Sequence, residues 1–158
     1  MKSYISLMIE SLQKKSKVLD AIIQKNQQQS EILRQEKVSF DAFDHNVLEK
    51  EELIRQLNRL DDGFDSIYTR IKEELQAHTS QYRSQISELQ KLIQEITDKS
   101  VSIQTMEKRN KKSVEDYFRN TRVEMRQTRM SNRAASNYYK SMSRIDGSDY
   151  SSAVDEKK

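Results

Sequence analysis

The sequence predicts an all-α fold, an elongated antiparallel three-helix bundle of coiled-coil type in which helix three extends past the hairpin and leads into a flexible C-terminal tail. Three observations carry this expectation. The 158 residues include no proline and only two glycines, so the turn residues that sheets require are missing. Apolar side chains return every three or four residues through three long stretches, the spacing of one helix face. Finally, the most regular of these stripes, Phe40 to Leu75, is on the order of 50 Å long at 1.5 Å per residue and needs an equally long neighbour to bury it.

Taken in order, the first helix is expected at about residues 2–36, with Ile5, Met8, Leu12, Leu19, Ile22 and Leu33 on its seam. Asn26 and Gln29 occupy seam positions where a heptad asks for apolar residues. On that reading Asn26→Leu extends the seam and is expected to be tolerated or stabilising. A helix start follows at Ser39, a natural N-cap, with Val38 before it and Phe43 after it spaced as a hydrophobic staple.

The second helix, about residues 39–76, carries Phe40, Phe43, Val47, Ile54, Leu57, Leu60, Phe64, Ile67, Ile71 and Leu75, interrupted by Lys50. Its regularity marks it as the element around which the others are organised. Gly63 lies in phase with the seam and is expected to mark a kink or a tight packing point. A second reversal is placed at 76–80. The third helix, about residues 79–131, carries Tyr82, Ile86, Leu89, Ile93, Ile96 and Ile103, then the polar positions Ser100, Glu107 and Asn110, then Val114, Tyr117 and Met125.

If residue 79 stands level with residue 2, the interruptions Asn26, Gln29, Lys50, Ser100, Glu107 and Asn110 converge on one end of the bundle. The same alignment has helix three outrunning its partners after about residue 114. Composition changes nearby. Leu, Ile, Val and Phe supply 30 of residues 1–107 but only 5 of residues 108–158, a level too low for an independent core. Residues 1–131 therefore read as the bundle and 132–158 as a basic, then polar, partly disordered arm.

Several function classes are excluded or unsupported. Without cysteine there is no disulfide framework and no thiolate chemistry, which suits a reducing compartment. The N-terminal apolar run Leu7 to Ile9 is far short of a signal peptide or membrane span, so no membrane insertion is expected. No glycine-rich phosphate loop, nucleophile elbow or zinc-protease motif occurs, and no enzyme activity or cofactor is expected. His45 shares a helix face with Asp41 and Glu49, too few strong ligands for a metal site. Placing Gly63 at the sixth position of a calcium loop puts Leu60 and Thr69 at ligand positions, and the loop fails.

The formal net charge is only +3, yet residues 108–144 hold 11 basic residues against 3 acids. Lys112, Arg119, Arg126, Arg133 and Lys140 recur every seven residues. The stripe fits a solvated helix face, an acidic protein surface, or nucleic acid, although no nucleic-acid-binding module accompanies it. Interleaved with it are Val114, Tyr117, Phe118, Met125, Met130, Tyr138, Tyr139 and Met142. Methionine adapts its shape and tyrosine offers area with a polar tip, so these eight are the candidate partner-binding residues of an arm that docks a protein. Homodimerisation is a competing use of that surface, and a structural coiled-coil protein or a basic nucleic-acid-binding protein are the alternative readings of the whole chain.

The three-helix plan, the acidic heptad stretch Leu48-Glu-Lys-Glu-Glu-Leu-Ile54 and the polar end Val154-Asp-Glu-Lys-Lys158 together resemble the FlgN-type flagellar export chaperones, with the FliT-type chaperones of the filament cap next in similarity. The resemblance implies a cytoplasmic protein that binds hook–filament junction (hook-associated) subunits, prevents their premature assembly and delivers them to the type III export apparatus. It also implies that the client is bound by the C-terminal helical part, here the arm after Val114.

Overall fold

The computed structural model describes residues 3–120, which form three helices, α1 (Tyr4–Arg34), α2 (Phe40–Ala77) and α3 (Arg83–Asn120). The start of α1 is capped by Ser3, whose Oγ accepts from the Ser6 amide at 3.3 Å. Gln35 then leaves helical geometry in an extended conformation. Ser39 caps α2 by accepting from the Ala42 amide at 3.2 Å, and Val38 and Phe43 are both buried beside it. These caps satisfy donors that a helix start otherwise leaves open.

The second reversal spans residues 78–82, so α3 begins at Arg83, later than the expected position near Thr79. His78 stops α2, and its carbonyl accepts from the Gln81 and Tyr82 amides. Thr79 Oγ1 donates to the Leu75 carbonyl at 3.2 Å, which ties the turn to the helix it leaves. The expected continuation of helix three to residue 131, and the arm at 132–158, lie outside the described residues.

The helices run antiparallel in sequence order, and α1, not α2, is the central element. It packs along both neighbours, whereas the backbones of α2 and α3 approach each other little. The physical reason is in the α1 pattern. Ile5, Met8, Leu12, Leu19 and Ile22 are buried, and Ile9, Val18 and Ile23 pack half-buried against the same core. A helix with two neighbours spreads its apolar residues over a wider arc, which makes its single stripe look weaker than that of a flanking helix.

The core continues through Phe43, Val47, Ile54, Leu57, Phe64, Ile71 and Leu75 of α2 and Leu89, Ile96, Ile103 and Val114 of α3. Phe40, Leu60 and Ile67, seam residues in the sequence, are only half-buried. On the flank of the core, Lys15 reaches the Asp61 carboxylate at 2.9 Å and Lys99 reaches Asp20 at 3.0 Å. Lys99 also donates to Ser16 Oγ at 2.7 Å.

Gly63 departs from expectation. The helix passes through it, the residue is exposed, and a Cβ built there meets nothing within 4 Å. It is not a tight packing point. Gly63→Ala is therefore expected to stabilise the protein by up to about 1 kcal/mol, since alanine restricts the unfolded chain and fits the helix without a clash. Denaturant unfolding checks this, and a loss of stability would mean that the backbone at residue 63 is not ordinary α-helix.

Candidate functional site

The end of the bundle where α1 stops and α2 starts is built in three layers. Its innermost layer is polar. Lys50 is wholly enclosed, and its Nζ donates to Asn26 Oδ1 and to Gln29 Oε1 (3.2 Å) while pairing with Glu107 Oε1 at 2.8 Å. Asn110 donates to the Asn26 carbonyl at 3.0 Å and to Gln29 Oε1 at 3.1 Å. All five residues are at most 5% exposed. The expected convergence of polar interruptions is thus real, with one exception. Ser100 is buried two helical turns before Glu107, beside the level of Ser16 that its neighbour Lys99 marks.

Register explains the difference. Residue 110 lies beside residues 26 and 29, whereas the alignment drawn from sequence set it beside residue 33. The later start of α3 shifts every residue of that helix toward the N-terminal end of α1. Asn46 completes the layer, donating to the Lys25 carbonyl at 2.9 Å and to Gln28 Oε1 at 3.3 Å. It was not singled out in the sequence. Its only signal is a position four residues before Lys50, one turn along the same face.

Burial pushes the Lys50 ammonium down from its ordinary 10.5 to about 8, against the opposing pull of the Glu107 carboxylate. Because the folded value lies below the unfolded one, the unfolded chain keeps this proton to higher pH. Between about pH 8 and 10.5 the unfolded state binds more protons, and stability rises with pH across that window. Measured against the doubly substituted Lys50→Met, Glu107→Leu protein, the wild type is expected to gain up to about 3 kcal/mol over this range. A difference that falls between pH 8 and 10 would contradict the assignment.

The heptad expectation for Asn26 is reversed by this geometry. Its side-chain oxygen is an acceptor for a buried ammonium, so Asn26→Leu removes a partner from a charge that has no water to turn to. The substitution is therefore expected to destabilise.

Above the polar layer lies an apolar one. Leu33, Val38, Phe43 and Val114 close around a crevice of about 10 Å³, which holds one water at most. An aromatic cap forms the third layer: Phe40 stacks on Phe118 with ring centroids 6.0 Å apart and meets Tyr117 edge-on at 5.8 Å. Such pairs contribute about 0.5–1.5 kcal/mol each beyond their burial. Helix three is thus still covered at Phe118, four residues beyond the expected exit at 114.

Of the eight candidate partner-binding residues, the structure brings three together here. Val114 is 4% exposed and part of the core, while Tyr117 and Phe118 are half-buried on Phe40. Met125, Met130, Tyr138, Tyr139 and Met142 lie outside the described residues. Elsewhere, His45 Nε2 sits 3.1 Å from Glu49, which Lys25 also engages. The Lys25 hydrogen bond holds the Glu49 carboxyl below the usual carboxylate range. Among the described residues, no group of three or more His, Asp or Glu side chains is placed to hold a metal ion, and no helix is long and apolar enough to cross a membrane.

The model of the family described as FlgN protein matches residues 1–142, nearly the whole chain. The chain belongs to the FlgN family. No curated protein and no solved structure matches it. As a FlgN protein it is a non-enzymatic flagellar export chaperone for hook-associated proteins, built as a helical bundle. FlgN chaperones act in the cytoplasm. The matched range runs past the aromatic cap and takes in all eight candidate residues.

Proposed function

We propose that this FlgN protein holds its hook-associated client on the continuation of α3, with Tyr117 and Phe118 as the innermost contacts and Met125, Met130, Tyr138, Tyr139 and Met142 extending the surface. Val114 then serves as the anchor that fixes the base of the arm in the core. The observation that supports this is the aromatic cap. Among the described residues, Tyr117 and Phe118 are the last on α3 that pack against α2, and they are half-exposed, while the residues that follow are too poor in Leu, Ile, Val and Phe to build a core of their own.

Binding of this kind works by exclusion: client helices covered by the arm are denied to other client copies. The reading includes a cytoplasmic place of work, delivery of the loaded complex to the export apparatus, and competition for the arm by a second copy of the chain. Removing residues 132–158 is expected to leave thermal unfolding nearly unchanged while client affinity falls at least about tenfold, or 1.4 kcal/mol. Tyr138→Ala combined with Tyr139→Ala should reproduce much of that loss. Titration calorimetry with a hook-associated protein is the measurement, and undiminished affinity in the truncated chain would rule out the arm as the docking element.

A further inference from the structure

Beside the polar layer, on the side where α1 and α3 meet, a cleft of about 330 Å³ opens to solvent. Its volume is in the range of ligand-binding clefts. Asn26 and Asn110 belong to its lining and are buried, with Arg34 and Arg109 exposed at its rim and Glu31 its only acid.

Two features make this more than a gap between helices. Asn26 is 1% exposed, and its side-chain nitrogen has no hydrogen-bond acceptor among the described residues. The amide cannot be turned over to cure this, because its oxygen faces the Lys50 ammonium, which has only hydrogens to offer. A buried amide nitrogen without an acceptor is held at a cost that an incoming oxygen would remove. Asn110 is fixed in the same way, since its nitrogen is given to α1. The second feature is the rim. Neither the Arg34 nor the Arg109 guanidinium has an ion-pair partner among the described residues, and Arg109 lies in the run Lys108, Arg109, Asn110, Lys111, Lys112, which holds no acid.

A cleft that has an unpartnered N–H donor in its lining and two planar guanidiniums beside it offers the chemistry that receives a carboxylate. We propose that the cleft between α1 and α3 seats an aspartate or glutamate side chain from an acidic segment of the client, fixing the register of a client whose apolar face lies on the arm. The inference rests on the chaperone reading above and adds a second, polar contact on the bundle itself. Affinity then has a salt-sensitive share contributed by the cleft and a salt-insensitive share contributed by the arm.

The test uses the full chain carrying Arg34→Glu and Arg109→Glu, titrated with a hook-associated protein at low and at high salt, with thermal unfolding measured alongside. Both side chains are exposed, so the melting temperature should change little. Affinity is expected to fall at least about tenfold at low salt, and the gap between variant and wild type to narrow at high salt. In the wild type, the side-chain amide resonance of Asn26 should shift on saturation with client. Unchanged affinity in the variant, or an unmoved Asn26 resonance, overturns the cleft as a contact while leaving the arm as docking element. Absence of any binding by the wild type would overturn the chaperone reading itself, and the cleft proposal with it.

Discussion

Glu107→Leu is expected to destabilise the protein by about 3–5 kcal/mol, the largest effect of any single polar substitution in the bundle, because it strands the enclosed Lys50 ammonium without its counter-charge. Lys50 is wholly buried and Glu107 is 5% exposed, so water cannot take the place of the missing carboxylate. Asn26 and Gln29 would still accept hydrogen bonds, but neutral amides do not cancel a charge. Adding Lys50→Met to Glu107→Leu should recover most of the loss, since the pair together costs desolvation that apolar side chains of similar volume avoid. Chemical denaturation of the wild type, both single variants and the double variant measures the coupling directly. Additive single effects would show that the two residues do not act as a pair.

Leu57→Ala is expected to cost about 2–5 kcal/mol through lost burial and the cavity left behind. Leu57 is 1% exposed in the middle of α2 and belongs to the core, whereas Ile67 on the same sequence seam only packs against it from the edge. Ile67→Ala should therefore cost clearly less than Leu57→Ala. The comparison is informative because the sequence pattern treats the two positions as equals. Equal losses on denaturation would mean that the α2 face is rotated toward Ile67 relative to the structure.

Composition and spacing determined the all-α class, the three helices and most of the core, because a 3.6-residue period leaves a stripe that survives any detail of packing, and residue type marked the Ser39 cap. The convergence of Asn26, Gln29, Lys50, Glu107 and Asn110 was also legible, since a polar residue on an apolar seam needs a partner at its own level. Other features were decided only by the tertiary structure. The centrality of α1 was hidden because a helix serving two neighbours divides its apolar residues between two faces. Ser100 left the polar cluster, and α3 stayed covered as far as Phe118, because the second reversal runs to Tyr82 and resets the register of all that follows. Asn26 changed from an apolar vacancy to a required acceptor because sequence records that a seam position is polar but not which buried charge it faces. The cleft beside it exists only where α1 and α3 come together, residues 26–34 meeting residues 106–110, and no periodicity in either helix encodes a space that belongs to the pair.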